Sequence, residues 1–104
     1  LLIARKACDR ATEGMLYLNL GILYKSRRDL LKAIECYEKA SNIAREEGDR
    51  TAEGEAYLNL GIVYNSRRDP SKAIEYYEKS LLIAKEAGDR STEGIASFNL
   101  GIKL

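Results

Sequence analysis

Tyr17-Leu18-Asn19-Leu20-Gly21-Ile22-Leu23-Tyr24 returns, forty residues on, as Tyr57-Leu58-Asn59-Leu60-Gly61-Ile62-Val63-Tyr64. Self-similarity at a fixed spacing is the mark of a repeat architecture and takes precedence over any local structural reading. Working outward, residues 11–50 placed on 51–90 without gaps give 26 identities in 40 positions. Asp9-Arg10, Asp49-Arg50 and Asp89-Arg90 keep the same period, as do Glu-Gly at 13–14, 53–54 and 93–94. Ser-Arg-Arg-Asp stands at 26–29 and 66–69, and Lys-Ala-Ile-Glu at 32–35 and 72–75. Leu1-Leu2-Ile3-Ala4 matches Leu81-Leu82-Ile83-Ala84, and residues 91–104 match 51–64, so 104 residues at a period of 40 make 2.6 copies. The expected organisation is the end of a preceding repeat at 1–8, repeats at 9–48 and 49–88, and the first helix of a further repeat at 89–104. The near-identity of the two full copies fits recent duplication or design.

Each period reads as two helices. Tyr17, Leu20, Gly21 and Tyr24 fall at i, i+3, i+4 and i+7, one face of an α-helix. Ala33, Ile34, Tyr37, Ala40, Ile43 and Ala44 do the same in the second half. Asp69-Pro70 is an N-cap followed by proline at the first helical position, where its missing N–H is no loss. Asp29 stands at the equivalent position, and Asp49 and Asp89 start the other helices. Gly48 and Gly88 sit where a left-handed residue ends a helix. Helices are therefore expected at 1–7, 9–26, 30–47, 49–66, 69–87 and 89–104. Loops of two to four residues between them force antiparallel neighbours, and stacked pairs form an all-α solenoid with a concave and a convex face. Glu35/Lys39 and Glu75/Lys79 are i,i+4 pairs in the favoured order. Gly21 and Gly61 lie mid-helix, where glycine costs about 1 kcal/mol relative to alanine. Close approach of the partner helix, at the small Ala33 and Ala73, is the expected compensation.

Composition narrows the function classes. With 17 Lys+Arg against 16 Asp+Glu, the net charge of +1 offers no general attraction to nucleic acid or to an anionic membrane. No run approaches the 18 apolar residues of a membrane span. The sequence has no histidine, which removes the usual general base and the commonest metal ligand. Cys8 and Cys36 alone make neither a disulfide framework nor a closed zinc site, and read as reduced thiols of a cytoplasmic-type protein. The expectation is no enzyme, no cofactor and no metal. The chain opens on Leu1 and reads as a segment of something longer.

The small and large residues together resemble the tetratricopeptide repeat: Tyr17, Leu20-Gly21 and Tyr24 on the first helix, then Ala33, Tyr37 and Ala40 on the second. The second copy gives Tyr57, Leu60-Gly61, Tyr64, Ala73, Tyr77 and Ser80, while the third keeps Leu100-Gly101 but carries Ser97 and Leu104 at the aromatic positions. The usual period of that family is 34. The longer form with Gly-Asp-Arg and Asn-Leu-Gly is similar to the repeats of the Leu-Gly-Asn adaptors and of kinesin light chains. The glycine usual between paired helices is replaced by Arg28 and Arg68.

The resemblance implies an interaction scaffold with a ligand groove on the concave face, lined by first helices. The residues it places there are Met15, Leu18, Asn19, Ile22, Lys25 and Ser26, then Glu55, Leu58, Asn59, Ile62, Asn65 and Ser66, then Ile95, Phe98, Asn99 and Ile102. A carboxamide both donates and accepts, so an Asn19/Asn59/Asn99 ladder suits the main chain of a docked peptide; the bland alternative is that each amide serves a neighbouring helix. Leu18, Leu58 and Phe98 either make the groove apolar or pack between adjacent first helices as core. Arg27-Arg28 and Arg67-Arg68 read as solvated turn residues near helix C-termini. The expected partner is a protein or peptide. A second reading is structural self-association, head to tail, through apolar ends at Leu1, Leu2, Ile3, Leu100 and Leu104.

Overall fold

The structure, a computed structural model, describes residues 9–101. Five helices follow one another: α1 (Asp9–Ser26), α2 (Leu30–Glu46), α3 (Arg50–Ser66), α4 (Pro70–Ala87) and α5 (Arg90–Leu100). Among the described residues there is no strand. Packing is between consecutive helices, with a lighter contact of α5 on α3, which is the pattern of an α-solenoid.

One aspartate organises each turn. The Asp29 carboxylate accepts from Lys32 N at 3.4 Å, Asp49 from Ala52 N at 3.0 Å, Asp69 from Lys72 N and Asp89 from Thr92 N, both at 3.2 Å. These are N-caps, worth about 1 kcal/mol each. The backbone N–H of the same residue closes the preceding helix: Asp29 N donates to Tyr24 O at 2.8 Å, and Asp49 N to Ala44 O at 2.9 Å. That is the six-to-one bond of a Schellman motif, which needs a left-handed residue just before the aspartate. Gly48 (φ 68°) and Gly88 (φ 72°) supply it between repeats. Within repeats the left-handed residues are Arg28 (φ 67°) and Arg68 (φ 62°), a strained conformation for a residue with a β-carbon.

The core runs along the helix pairs. Ala33, Tyr37, Leu60, Val63, Ala73 and Ala96 are all within 2 % of complete burial. The expected close approach of the paired helix at Gly21 and Gly61 is present, made nearest by a tyrosine. A β-carbon on Gly21 would stand 2.5 Å from Tyr37 Cε1, and one on Gly61 2.6 Å from Tyr77 Cδ1. The paired helix thus sets an aromatic ring against the glycine.

One further expectation is corrected, and one is followed as far as the described residues go. The last helix is described to Leu100, with Gly101 left-handed at φ 77°, and the rest of the expected 89–104 helix lies outside the described residues. Lys39 does not pair with Glu35: its ammonium lies 5.2 Å from the centre of the Tyr17 ring, a cation–π contact. Lys79 does both, 3.7 Å from Glu75 and 5.7 Å from the Tyr57 ring centre. The expected helix at 1–7, with Leu1, Leu2 and Ile3, lies outside the described residues, as do Ile102 and Leu104.

Candidate functional site

α1 and α3 both pack against α2, and the three helices line a cavity of about 310 Å³. Its floor is apolar: Gly14 and Leu18 from α1, Ala40, Ile43 and Ala44 from α2, Ala52 from α3. Small residues make the hollow, since Gly14, Ala40, Ala44 and Ala52 leave space that longer side chains would fill. Met15, Asn19, Glu47, Asp49, Thr51 and Glu55 line the remainder. Four sequence-predicted groove residues therefore meet at one place: Met15, Leu18, Asn19 and Glu55.

The other predicted residues do not line this cavity. Ile22, Asn65, Ser66, Ile95, Phe98, Asn99 and Ser26 are exposed, and Lys25, Asn59 and Ile62 are half-buried. Phe98 is the most open of the large apolar side chains at 82 %. Leu58, at the same repeat position, is 7 % exposed and belongs to the core, and Leu18 packs against that cluster. Of the two readings of Leu58, its burial fits packing between adjacent helices. The carboxamides of Asn19, Asn59 and Asn99 make no hydrogen bond to another described residue.

Charge is arranged unevenly around the site. Glu47, Asp49 and Glu55 form no ion pair among the described residues. Partial burial pushes the Glu55 carboxyl above the ordinary glutamate range, and the negative charges of Asp89 and Asp49 push it further. The arginines of the repeated Asp-Arg pair are occupied elsewhere. Arg10 bonds Glu13 at 3.0 Å and also Glu46; Arg50 meets Glu53 at 3.4 Å and also Glu86. Each such arginine ties the start of a first helix to the end of its paired second helix.

Glu53 carries a denser network that sequence reasoning missed. Its carboxylate is buried to 4 % exposure, accepts from Tyr57 Oη at 3.1 Å, and lies 3.7 Å from Arg45 as well as beside Arg50. Arg45 in turn donates to Tyr57 Oη at 3.4 Å. A buried carboxylate needs such partners. The signal was available: Arg10, Glu13 and Glu46 recur as Arg50, Glu53 and Glu86, three charges preserved at period 40.

The remaining candidates carry structural roles or none. Arg27, Arg28, Arg67 and Arg68 are exposed and form no ion pair among the described residues. Cys36 is a buried free thiol, its pKa raised by burial and then by Glu35, the opposite of an activated nucleophile. Tyr37 is pushed up to about 12 by burial. Among the described residues no group of three or more acidic, cysteine or histidine side chains is placed to hold a metal ion, and no helix is long and apolar enough to cross a membrane. Compared with known proteins, residues 9–86 match the family model described as "Tetratricopeptide repeat". No curated protein matches the sequence.

Proposed function

The chain belongs to the tetratricopeptide repeat family, and from that premise we propose that it is a non-catalytic interaction scaffold of the cytoplasm whose concave face takes a peptide or helix. The face is formed by α1, α3 and α5 and carries Met15, Leu18, Asn19, Ile22, Lys25, Glu55, Asn59, Ile62, Asn65, Ile95, Phe98 and Asn99. The observation that supports this most is the asparagine ladder. Three carboxamides at one repeat position are left without a partner among the described residues. An unpartnered donor and acceptor at each step matches the hydrogen-bonding needs of an extended or helical main chain. A peptide-library screen tests the reading. Peptides retained by the chain should be lost, or bound at least tenfold more weakly, after joint Asn19→Ala and Asn59→Ala substitution. Unchanged affinity for every retained peptide would remove the groove assignment.

A second reading, self-association of copies, is favoured by one observation. Leu16 and Leu23 of α1 are 55 % and 60 % exposed, while their equivalents on α3, Ala56 and Val63, are fully buried beneath neighbouring helices. That face of α1 is apolar, and the end of a second copy's array would be complementary to it by periodicity. Sedimentation equilibrium discriminates: association at micromolar concentration that Leu23→Glu abolishes supports it, and a monomer throughout refutes it.

A further inference from the structure

The cavity between α1, α2 and α3 combines two features that together specify an occupant. Its volume, about 310 Å³, lies at the lower end of the range for small-ligand pockets, roughly 300–1,000 Å³. That admits one or two side chains of a docked segment. The floor of Gly14, Leu18, Ala40, Ile43, Ala44 and Ala52 offers no hydrogen-bonding side chain, so the group that enters is aliphatic. All ionisable residues on the lining are acidic: Glu47, Asp49 and Glu55.

These acids differ in how they are committed. Asp49 is engaged by Ala52 N as the N-cap of α3, and no cation neutralises any of the three among the described residues. The arginines nearest in sequence, Arg45 and Arg50, are turned to Glu53 and Glu86. The Glu55 carboxyl is pushed up first by partial burial and then by the negative charges of Asp89 and Asp49. A cation brought to the rim relieves that repulsion, which is charge complementarity in its simplest form.

The site also belongs to one junction. At the following one, Ala40 and Ala52 are replaced by Ser80 and Thr92, both buried, and Ser80 Oγ donates to Gly54 O at 2.8 Å. Glu55 is replaced there by Ile95 and Glu47 by Ala87. The α3–α4–α5 junction is thus better filled and differently charged: it loses two acids of the first site, keeps Asp89 at the Asp49 position and carries Glu55 in place of Met15.

We propose that the cavity between α1, α2 and α3 is a specificity subsite that takes one aliphatic side chain of the docked segment next to a lysine or arginine, the aliphatic group on the small-residue floor and the cation against Glu55. This rests on the groove reading above and deepens it, by naming the chemistry of the segment that the groove selects.

The test uses the full 104-residue chain and a fluorescein-labelled peptide library with a central Leu-Arg, Leu-Gln or Leu-Glu and random flanks. The expected order of affinity is Leu-Arg, then Leu-Gln, then Leu-Glu, with about fivefold per step that shrinks as salt is raised. Glu55→Lys should reverse the order. Thr51→Trp, at an exposed rim position, should block the aliphatic part and weaken all three classes, while the helical circular dichroism of both variants stays that of the parent. If Thr51→Trp weakens binding but Glu55→Lys leaves the charge preference unchanged, the groove reading stands and this inference falls. If no peptide binds, or binding ignores both substitutions and the asparagine pair, both fall together.

Discussion

Gly61→Ala puts a number on how the helix pairs are held together. Two effects oppose each other. Alanine in a helix interior is about 1 kcal/mol more favourable than glycine by intrinsic propensity. Against this, the new methyl carbon would stand 2.6 Å from Tyr77 Cδ1 and Cε1 and 3.2 Å from Cγ. Those atoms lie at the base of the ring, not at a flexible tip, and Tyr77 is 6 % exposed, so the ring has little room to retreat. Overpacking of a buried site typically costs 1–3 kcal/mol and can exceed that. At the upper part of that range, net destabilisation is about 1–2 kcal/mol, or a fall in Tm of roughly 4–15 °C for a domain of this size. Urea unfolding followed by circular dichroism measures it. Gly94→Ala is the control, because it is also helical but meets nothing within 4 Å. It should stabilise by about 0.5–1 kcal/mol. Pairing Gly61→Ala with Tyr77→Leu should show a coupling energy of about 1 kcal/mol in a double-mutant cycle. If Gly61→Ala stabilises the chain as much as Gly94→Ala does, the ring-on-glycine contact is not what fixes the helix pair.

Three other substitutions follow from single features. Arg68→Gly removes a β-carbon from a left-handed residue and should stabilise by about 1 kcal/mol by thermal melting, because the left-handed penalty of roughly 1–2 kcal/mol is offset in part by the greater freedom of glycine in the unfolded chain. Ser97 Oγ is buried with no hydrogen-bond partner among the described residues, so Ser97→Ala should be neutral or stabilising by up to about 1 kcal/mol, whereas an ordinary buried hydroxyl would be missed. Glu55 has a raised carboxyl pKa, so the fold favours its protonated form; that contribution is whole below the ordinary glutamate range and is lost as pH rises through the folded pKa. Glu55→Gln should therefore raise Tm at pH 7 and do so less at pH 3, and an equal effect at both would mean that neither burial nor the charges of Asp89 and Asp49 raise its pKa.

The helices and their turns were legible because each depends on local chemistry. Asp29, Asp49, Asp69 and Asp89 cap wherever they precede a helical run, and Gly48 and Gly88 are left-handed wherever a Schellman turn needs them. Period 40 then fixed the stacking. What could not be read locally was decided by neighbours. Gly21 and Gly61 sit against Tyr37 and Tyr77 of the paired helix, and Leu58 is buried between adjacent helices. For the candidate site, the family resemblance brought out Met15, Leu18, Asn19 and Glu55 on first helices, because it says which face of each first helix lines the groove. It did not bring out Ala40, Ala44 and Ala52, whose contribution is the space they leave. Nor did it show that the Asp-Arg arginines are drawn into ion pairs, which leaves the groove side acidic.

Backbone amide mapping with a retained peptide locates the binding face. When the ¹⁵N-labelled chain is titrated, shifts should concentrate at Ala11, Gly14, Met15, Asn19, Thr51, Ala52, Glu55 and Asn59. Shifts concentrated instead on the outward faces of α2 and α4, at Leu31, Ile74 and Leu82, which are also exposed, would contradict the groove assignment.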